Sequence, residues 1–379
     1  MASNTKKLRS GYTTGACAAA AAKAAATLLM SSERILSVEI PFPDGSRVNF
    51  KIYNSKLITQ NSKLATASVI KDAGDDPDVT NGAEIVAQVR LLPLTQPSPS
   101  RGEGKGEGET KNSVFIIGGK GVGRVTKPGL SVPVGGPAIN PVPGKMIREA
   151  VAEAVREYGM PDGSSIEITI SVPKGEELAK KTLNARLGII GGISILGTSG
   201  IVRPLSAEAW TCSITAAMDV AKATGAEEIV LSVGRVSEKA HMKKYKLPVE
   251  SYVMMGDYFE FSLVDAKKHD FRKIHISAHW AKMLKISMST PQTHVRHGAI
   301  DIQKAVEHLN RMGIAVPEGR DFNTAREIFD YLVSTYGLSL PMLSKVCVAA
   351  KRYAEGITAG IPVITHLVSY EGDIITDSE

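Results

Sequence analysis

At 379 residues the chain is longer than one ordinary hydrophobic core supports, so two domains are expected. Its 43% hydrophobic and 22% charged content describes a globular protein and excludes disordered and fibrous classes. A net charge of +6, spread along the chain and joined by only 5% aromatic residues, lacks the footprint of a nucleic-acid binder and suits an anionic small molecule.

No uninterrupted apolar run reaches the roughly 18 residues of a membrane span. Lys23 breaks the alanine-rich stretch Gly15 to Leu29, which is therefore no secretory signal. Neither a membrane nor a nucleic acid is expected as a partner. The three cysteines, Cys17, Cys212 and Cys347, are odd in number and far apart. They read as small buried residues of a cytoplasmic protein.

In chain order, Thr13 or Thr14 caps a helix running to about Met30, where alanine supplies high helix propensity. Strands follow at Ile35 to Ile40 and Val48 to Tyr53, joined by the turn signal Pro43-Asp44-Gly45. Further strands are expected at Thr66 to Lys71, Ile85 to Leu92 and Val114 to Ile117. The segment from Pro93 to Ser113, PLTQPSPSRGEGKGEGETKNS, has almost nothing to bury and reads as a disordered surface insertion. Pro133 to Pro143 is a rigid extended segment ahead of a helix from about Gly144 to Glu157, and a strand follows at Ile166 to Val172. Strands with few helices between them predict an α+β domain over residues 1–190.

After Gly191 strands and helices alternate. Gly192 to Leu196 reads as a strand and Ser206 to Thr224 as a helix. Strands at Glu228 to Val233, Tyr252 to Met255 and Lys273 to Ala278 are each followed by a helix. The pattern predicts a Rossmann-like parallel α/β domain over residues 191–315. The last part, residues 316–379, adds two helices and a strand near Pro362 to Tyr370, and the sequence does not assign it to either domain.

The strongest candidate for a nucleotide-type ligand is the glycine-bounded turn after Gly192, with Gly197, Thr198, Ser199 and Gly200, read as the first strand-to-helix crossover of the parallel sheet. The G-x-G-x-x-G spacing is missing, and the following strand ends in Arg235, which keeps an NADP-dependent reductase open as an alternative. Asp257, after the third strand, is the acid placed for a ribose. Gly118 to Gly129 resembles a phosphate loop but lacks its lysine order. It reads instead as a basic loop that meets carboxylates. Among the eight histidines the spacings His294/His297 and His275/His279 define no metal set, so no metal site is expected.

The stretches Leu8 to Ala20, Asp75 to Thr80, Gly121 to Leu130, Pro137 to Pro143 and Asn184 to Pro204 together resemble the CbiD family, the cobalt-precorrin-5B (C-1)-methyltransferases. The resemblance spans nearly the whole chain in the right order. It implies S-adenosylmethionine as methyl donor and C-1 of a cobalt-bound, ring-contracted tetrapyrrole as acceptor, with cobalt present only as part of the substrate. It also implies an α+β domain beside a Rossmann-like one. On that reading Gly192, Gly197, Thr198, Ser199, Gly200 and Asp257 hold the donor, and Arg124, Lys127 and Arg203 grip the acceptor's carboxylates. No catalytic residue is assigned. A non-catalytic corrinoid carrier is the other alternative. A homo-oligomer and transient contacts with neighbouring pathway enzymes remain open. The chain departs from the family at the 93–113 insertion and at Ala278-His279-Trp280-Ala281-Lys282, where a glycine-rich helix start is expected.

Overall fold

The computed structural model describes residues 8–58, 63–93, 114–161, 163–293, 299–317, 319–337 and 340–379. The expected insertion, beyond its first residue Pro93, lies outside the described residues, as do His294 and His297. The chain forms two compact units, Met1–Ser206 and Ala207–Glu379.

The first unit is built around the helix Thr14–Ser31. The Thr13 side chain caps it, accepting from the Ala16 amide at 3.2 Å. Alanines 18–22 and 24–26 are all fully buried, because a helix apolar on every side has no face to give to water. Among the described residues this helix alone is long and apolar enough to cross a membrane, yet 83% of it is buried within the protein. It packs against the helix Pro141–Tyr158 and against the strands Leu64–Ile70 and Glu84–Pro93. Those strands present Ala65, Ala67 and Ala87, so small side chains meet small side chains. A leucine at Ala19 would overpack this contact at a cost of about 1–3 kcal/mol.

The sheet runs Asn54–Ile58, Leu64–Ile70, Glu84–Pro93, Ser164–Ser171, Val114–Gly118, antiparallel except for the last pair. Ser37–Pro41 and Arg47–Lys51 form a separate hairpin, turning through Gly45 with the Asp44 carboxylate accepting from the Ser46 amide. Pro141 and Pro143, expected in an extended segment, belong to the first turn of their helix, where a proline's missing N–H leaves no bond unmade.

One expectation is overturned. Gly192–Ile193 is not the first strand of the parallel sheet; it pairs with Gly121–Val122 in the first unit. The boundary accordingly falls at Ser206, not at Gly191. The apolar run Gly192 to Leu196 satisfies the strand pattern, but its backbone groups are taken by short loop pairings.

In the second unit the sheet order is Tyr252–Met254, Glu228–Ser232, Lys273–His279, Val363–Val368, Ile374–Asp377, parallel except at the last edge. The C-terminal segment that the sequence left unassigned thus completes this sheet. Strand residues alternate between two faces. Ile229, Leu231, Ile274, Ile276, Ala278, Val363 and Leu367 join an apolar core with the helices Phe259–Lys268, Trp280–Ser287 and Leu340–Thr358. The helix Arg235–Tyr245 packs on the strands as well. Toward it face the polar members of the alternation, with Ser277 donating to the Ser237 carbonyl at 2.8 Å. Cys17 and Cys347 are buried as expected; Cys212, on the helix Ala207–Ala223, is exposed instead.

Candidate functional site

In the first unit the segments carrying the family resemblance, far apart in sequence, converge on one knot of short pairings. Gly121–Val122 lies parallel to Gly192–Ile193, and Arg124–Val125 lies antiparallel to Ile189–Ile190. Gly11–Tyr12 pairs with Ile201–Val202. The Thr14 hydroxyl accepts from the Leu196 amide at 2.9 Å, and the Asn140 amide donates to the Ile195 carbonyl at 3.0 Å. Leu205 donates to the Asp76 carboxylate at 3.1 Å.

Glycine is required at these crossings by contact distance. A Cβ on Gly192 would lie 2.1 Å from the Gly121 carbonyl oxygen. On Gly197 it would meet the Thr13 side chain at 2.5 Å, and on Gly200 the Phe42 ring at 2.8 Å. Close packing, not a ligand at a sheet crossover, therefore accounts for these three glycines. Thr198 and Ser199 are exposed, and the Ser199 hydroxyl donates to the Ile201 carbonyl within its own turn.

The three basic candidates all belong to this unit. Arg124 is exposed and donates to the Gly135 carbonyl at 2.9 Å. Lys127 is half-buried beside Gly188, its Nζ donating to the Arg186 carbonyl at 3.2 Å. Arg203 is exposed just after the Ile201–Val202 strand. The Arg124 side chain springs from a backbone held by pairing with Ile190.

Asp257 belongs to the second unit, just beyond the carboxyl end of Tyr252–Met254. Its carboxylate accepts from the Thr293 hydroxyl at 2.8 Å and pairs with Lys282. Burial, followed by the charge of Lys285, pulls the Lys282 ammonium down to about 8. Gly256, at φ +58°, brings its backbone under Trp210, whose indole donates to the Met255 carbonyl at 3.3 Å. Trp210 is 44% exposed and stacks on Tyr258 at 6.2 Å. The two rings form an apolar platform beside Asp257. At the neighbouring strand end, a Cβ on Gly234 would meet nothing within 4 Å, so this turn leaves open space.

Sequence spacing missed one further cluster. His241, His275 and His366 come from the helix Arg235–Tyr245 and two strands, and each offers a ring nitrogen within 4.8 Å of the others. Burial, reinforced by His275 and Lys244, holds His241 down to about 3. Burial, reinforced by His241, His275 and Lys244, holds His366 down to about 2. The alternation in Lys273–His279 marks His275 as facing away from the apolar core, but nothing in the sequence predicts its neighbours.

The CbiD family model matches residues 1–204 of this chain. The cobalt-precorrin-5B C(1)-methyltransferase of Desulfotalea psychrophila is 47% identical over 373 residues, 98% of both chains. Its counterpart in Geobacter metallireducens is 44% identical, covering 98% of this chain and 99% of its own. That of Priestia megaterium is 41% identical, covering 98% and 96%. The crystal structure of the cobalamin biosynthesis protein (cbiD) from Archaeoglobus fulgidus is 29% identical, covering 74% of this chain and 79% of its own. It overlaps with a TM-score of 0.38. Over its matched length and in its full-length relatives alike, the chain belongs to the CbiD family.

Proposed function

We propose that this chain is a cobalt-precorrin-5B C(1)-methyltransferase, transferring the methyl group of S-adenosylmethionine to C-1 of the tetrapyrrole to give cobalt-precorrin-6A in cobalamin biosynthesis. The observation that carries the reading is identity of 47% across 98% of both chains with a relative of that name. The sulfonium methyl is electrophilic and the macrocycle supplies the nucleophilic carbon. The S–CH3 bond breaks as the new C–C bond forms, leaving S-adenosylhomocysteine. The protein's task is to align the two partners and exclude water, which needs no acid–base pair.

The second unit is read as Rossmann-like, its first four strands in the order second, first, third, fourth of a doubly wound sheet. In such sheets ligands bind beyond the carboxyl ends of the strands. The donor is placed there, with Asp257 accepting from its ribose and Trp210 and Tyr258 offering an apolar face to its adenine. Arg124, Lys127 and Arg203 are assigned to the acceptor's acetate and propionate arms, since a guanidinium fork matches a carboxylate. Three unpaired cysteines suit a reducing cytoplasm. Calorimetry tests the donor directly: S-adenosylmethionine should bind one to one and NADPH should not. Binding of NADPH alone would move the chain to the reductase reading.

A further inference from the structure

His241, His275 and His366 are 0%, 4% and 0% exposed. Three imidazoles packed together out of water are costly unless their polar atoms are satisfied, and here they are not. His241 Nε2 and His366 Nδ1 are buried without a hydrogen-bond partner. The remaining nitrogens are oriented. His241 Nδ1 meets the Tyr252 hydroxyl at 3.2 Å, His275 Nε2 meets the Glu228 carboxylate at 3.0 Å, and His275 Nδ1 meets His366 Nε2 at 2.9 Å. Tyr245 covers the group, stacked on His241 at 4.5 Å and tilted on His366 at 4.9 Å.

We infer that His241, His275 and His366 form a binding site for a divalent transition-metal ion of the zinc class. Imidazole nitrogen is the ligand these ions prefer, and the absence of oxygen donors from the triad argues against magnesium or calcium. The carboxylate of Glu228 on the outer nitrogen of His275 is the orienting contact that metal-bound histidines make. The hydroxyl of Tyr252 does the same for His241, leaving its unpartnered Nε2 for the ion. Two nitrogens on a tetrahedral zinc ion sit about 3.3 Å apart, from bonds of about 2.0–2.1 Å. Each residue offers one ring nitrogen within 4.8 Å of the other two, so small side-chain adjustments close the set. Binding would replace the hydrogen bond between His275 and His366 by two metal bonds, with a fourth position left to a water. The cluster lies along the middle of the sheet, where His275 and Tyr252 are each level with Val230 and His366 is level with Ser277. Its three ligands come from the helix Arg235–Tyr245 and two strands, so the role assigned to the ion is to lock that helix onto the sheet.

The test uses full-length protein without a polyhistidine tag, stripped with chelator and titrated with Zn2+ alone by calorimetry. One ion per chain is expected. The double variant His241→Gln/His366→Gln should lose more than about a hundredfold in affinity, since even outer-contact changes cost tenfold to a hundredfold. Glu228→Gln should lose about tenfold, and His269→Gln, outside the cluster, should bind as the wild type does. Should the double variant fail to fold, Co2+ added to the wild type should shift the imidazole NMR signals of His241, His275 and His366 and spare that of His269. A wild type that takes up no Zn2+, Zn2+ binding that persists in the folded double variant, or Co2+ shifts that miss these three rings would overturn the site.

Discussion

Replacing Gly200 with alanine separates packing from donor binding as the reason for glycine at that turn. Gly200 has φ +83°, a region that costs an L-residue roughly 1–2 kcal/mol. The added Cβ would lie 2.8 Å from the Phe42 ring. That ring is 4% exposed and held by Tyr12 and Phe50 at 6.3 Å each, so it has little room to retreat. Overpacking of this kind costs about 1–3 kcal/mol, giving a total of roughly 2–5 kcal/mol. The Gly200 carbonyl accepts from the Thr13 amide at 2.9 Å, so the damage should reach the cap of the central helix. Hydrogen exchange of a peptide spanning Thr13 should quicken by about thirtyfold or more, at one decade per 1.4 kcal/mol. Affinity for S-adenosylmethionine should change little in molecules that remain folded. Wild-type protection at Thr13 combined with lost donor binding would refute the packing argument and restore the turn to the donor site.

Arg124→Ala should weaken tetrapyrrole binding about tenfold to a hundredfold, the value of a charged hydrogen bond of about 1.5–3 kcal/mol, and leave donor affinity unchanged. Equal acceptor affinity at low salt would remove Arg124 from the site. Asp257→Ala should raise the dissociation constant for S-adenosylmethionine at least about tenfold, by loss of one such bond; an unchanged constant would place the ribose elsewhere. The Glu153 carboxyl is held down to about 2 from 4.5 by hydrogen bonds from Arg47 and then Lys23. Its folded value is depressed, so its contribution is fully present above pH 4.5 and is lost as pH falls toward 2. Allowing for solvent screening it amounts to about 1–2 kcal/mol, and Glu153→Gln should flatten the loss of stability across that acid window. An acid limb identical to the wild type would contradict the assignment.

Elements with a strong local signature were legible in the sequence. Thr13 caps its helix, and the alternation of strand and helix after Glu228 produces a largely parallel sheet. Pairing partners were not legible. Gly192 to Leu196 has the composition of a buried strand, and only the tertiary contact with Gly121 shows which sheet it serves. The same holds for glycines, whose residue type signals close approach without naming the neighbour: Thr13 for Gly197 and Phe42 for Gly200. His275 and His366 are 91 residues apart, and their strands become neighbours only through the crossover that joins them. Asp257 follows a strand end, a position that sequence rhythm does reveal.

The central claim is methyl transfer to one ring carbon, and the direct measurement is a turnover with S-adenosylmethionine carrying a 13C-labelled methyl group and cobalt-precorrin-5B as acceptor. Nuclear magnetic resonance of the demetallated product should show one labelled methyl on C-1, formed in step with one equivalent of S-adenosylhomocysteine. Label on another carbon, or acceptor that is bound but returned unmethylated by folded enzyme, would contradict the account.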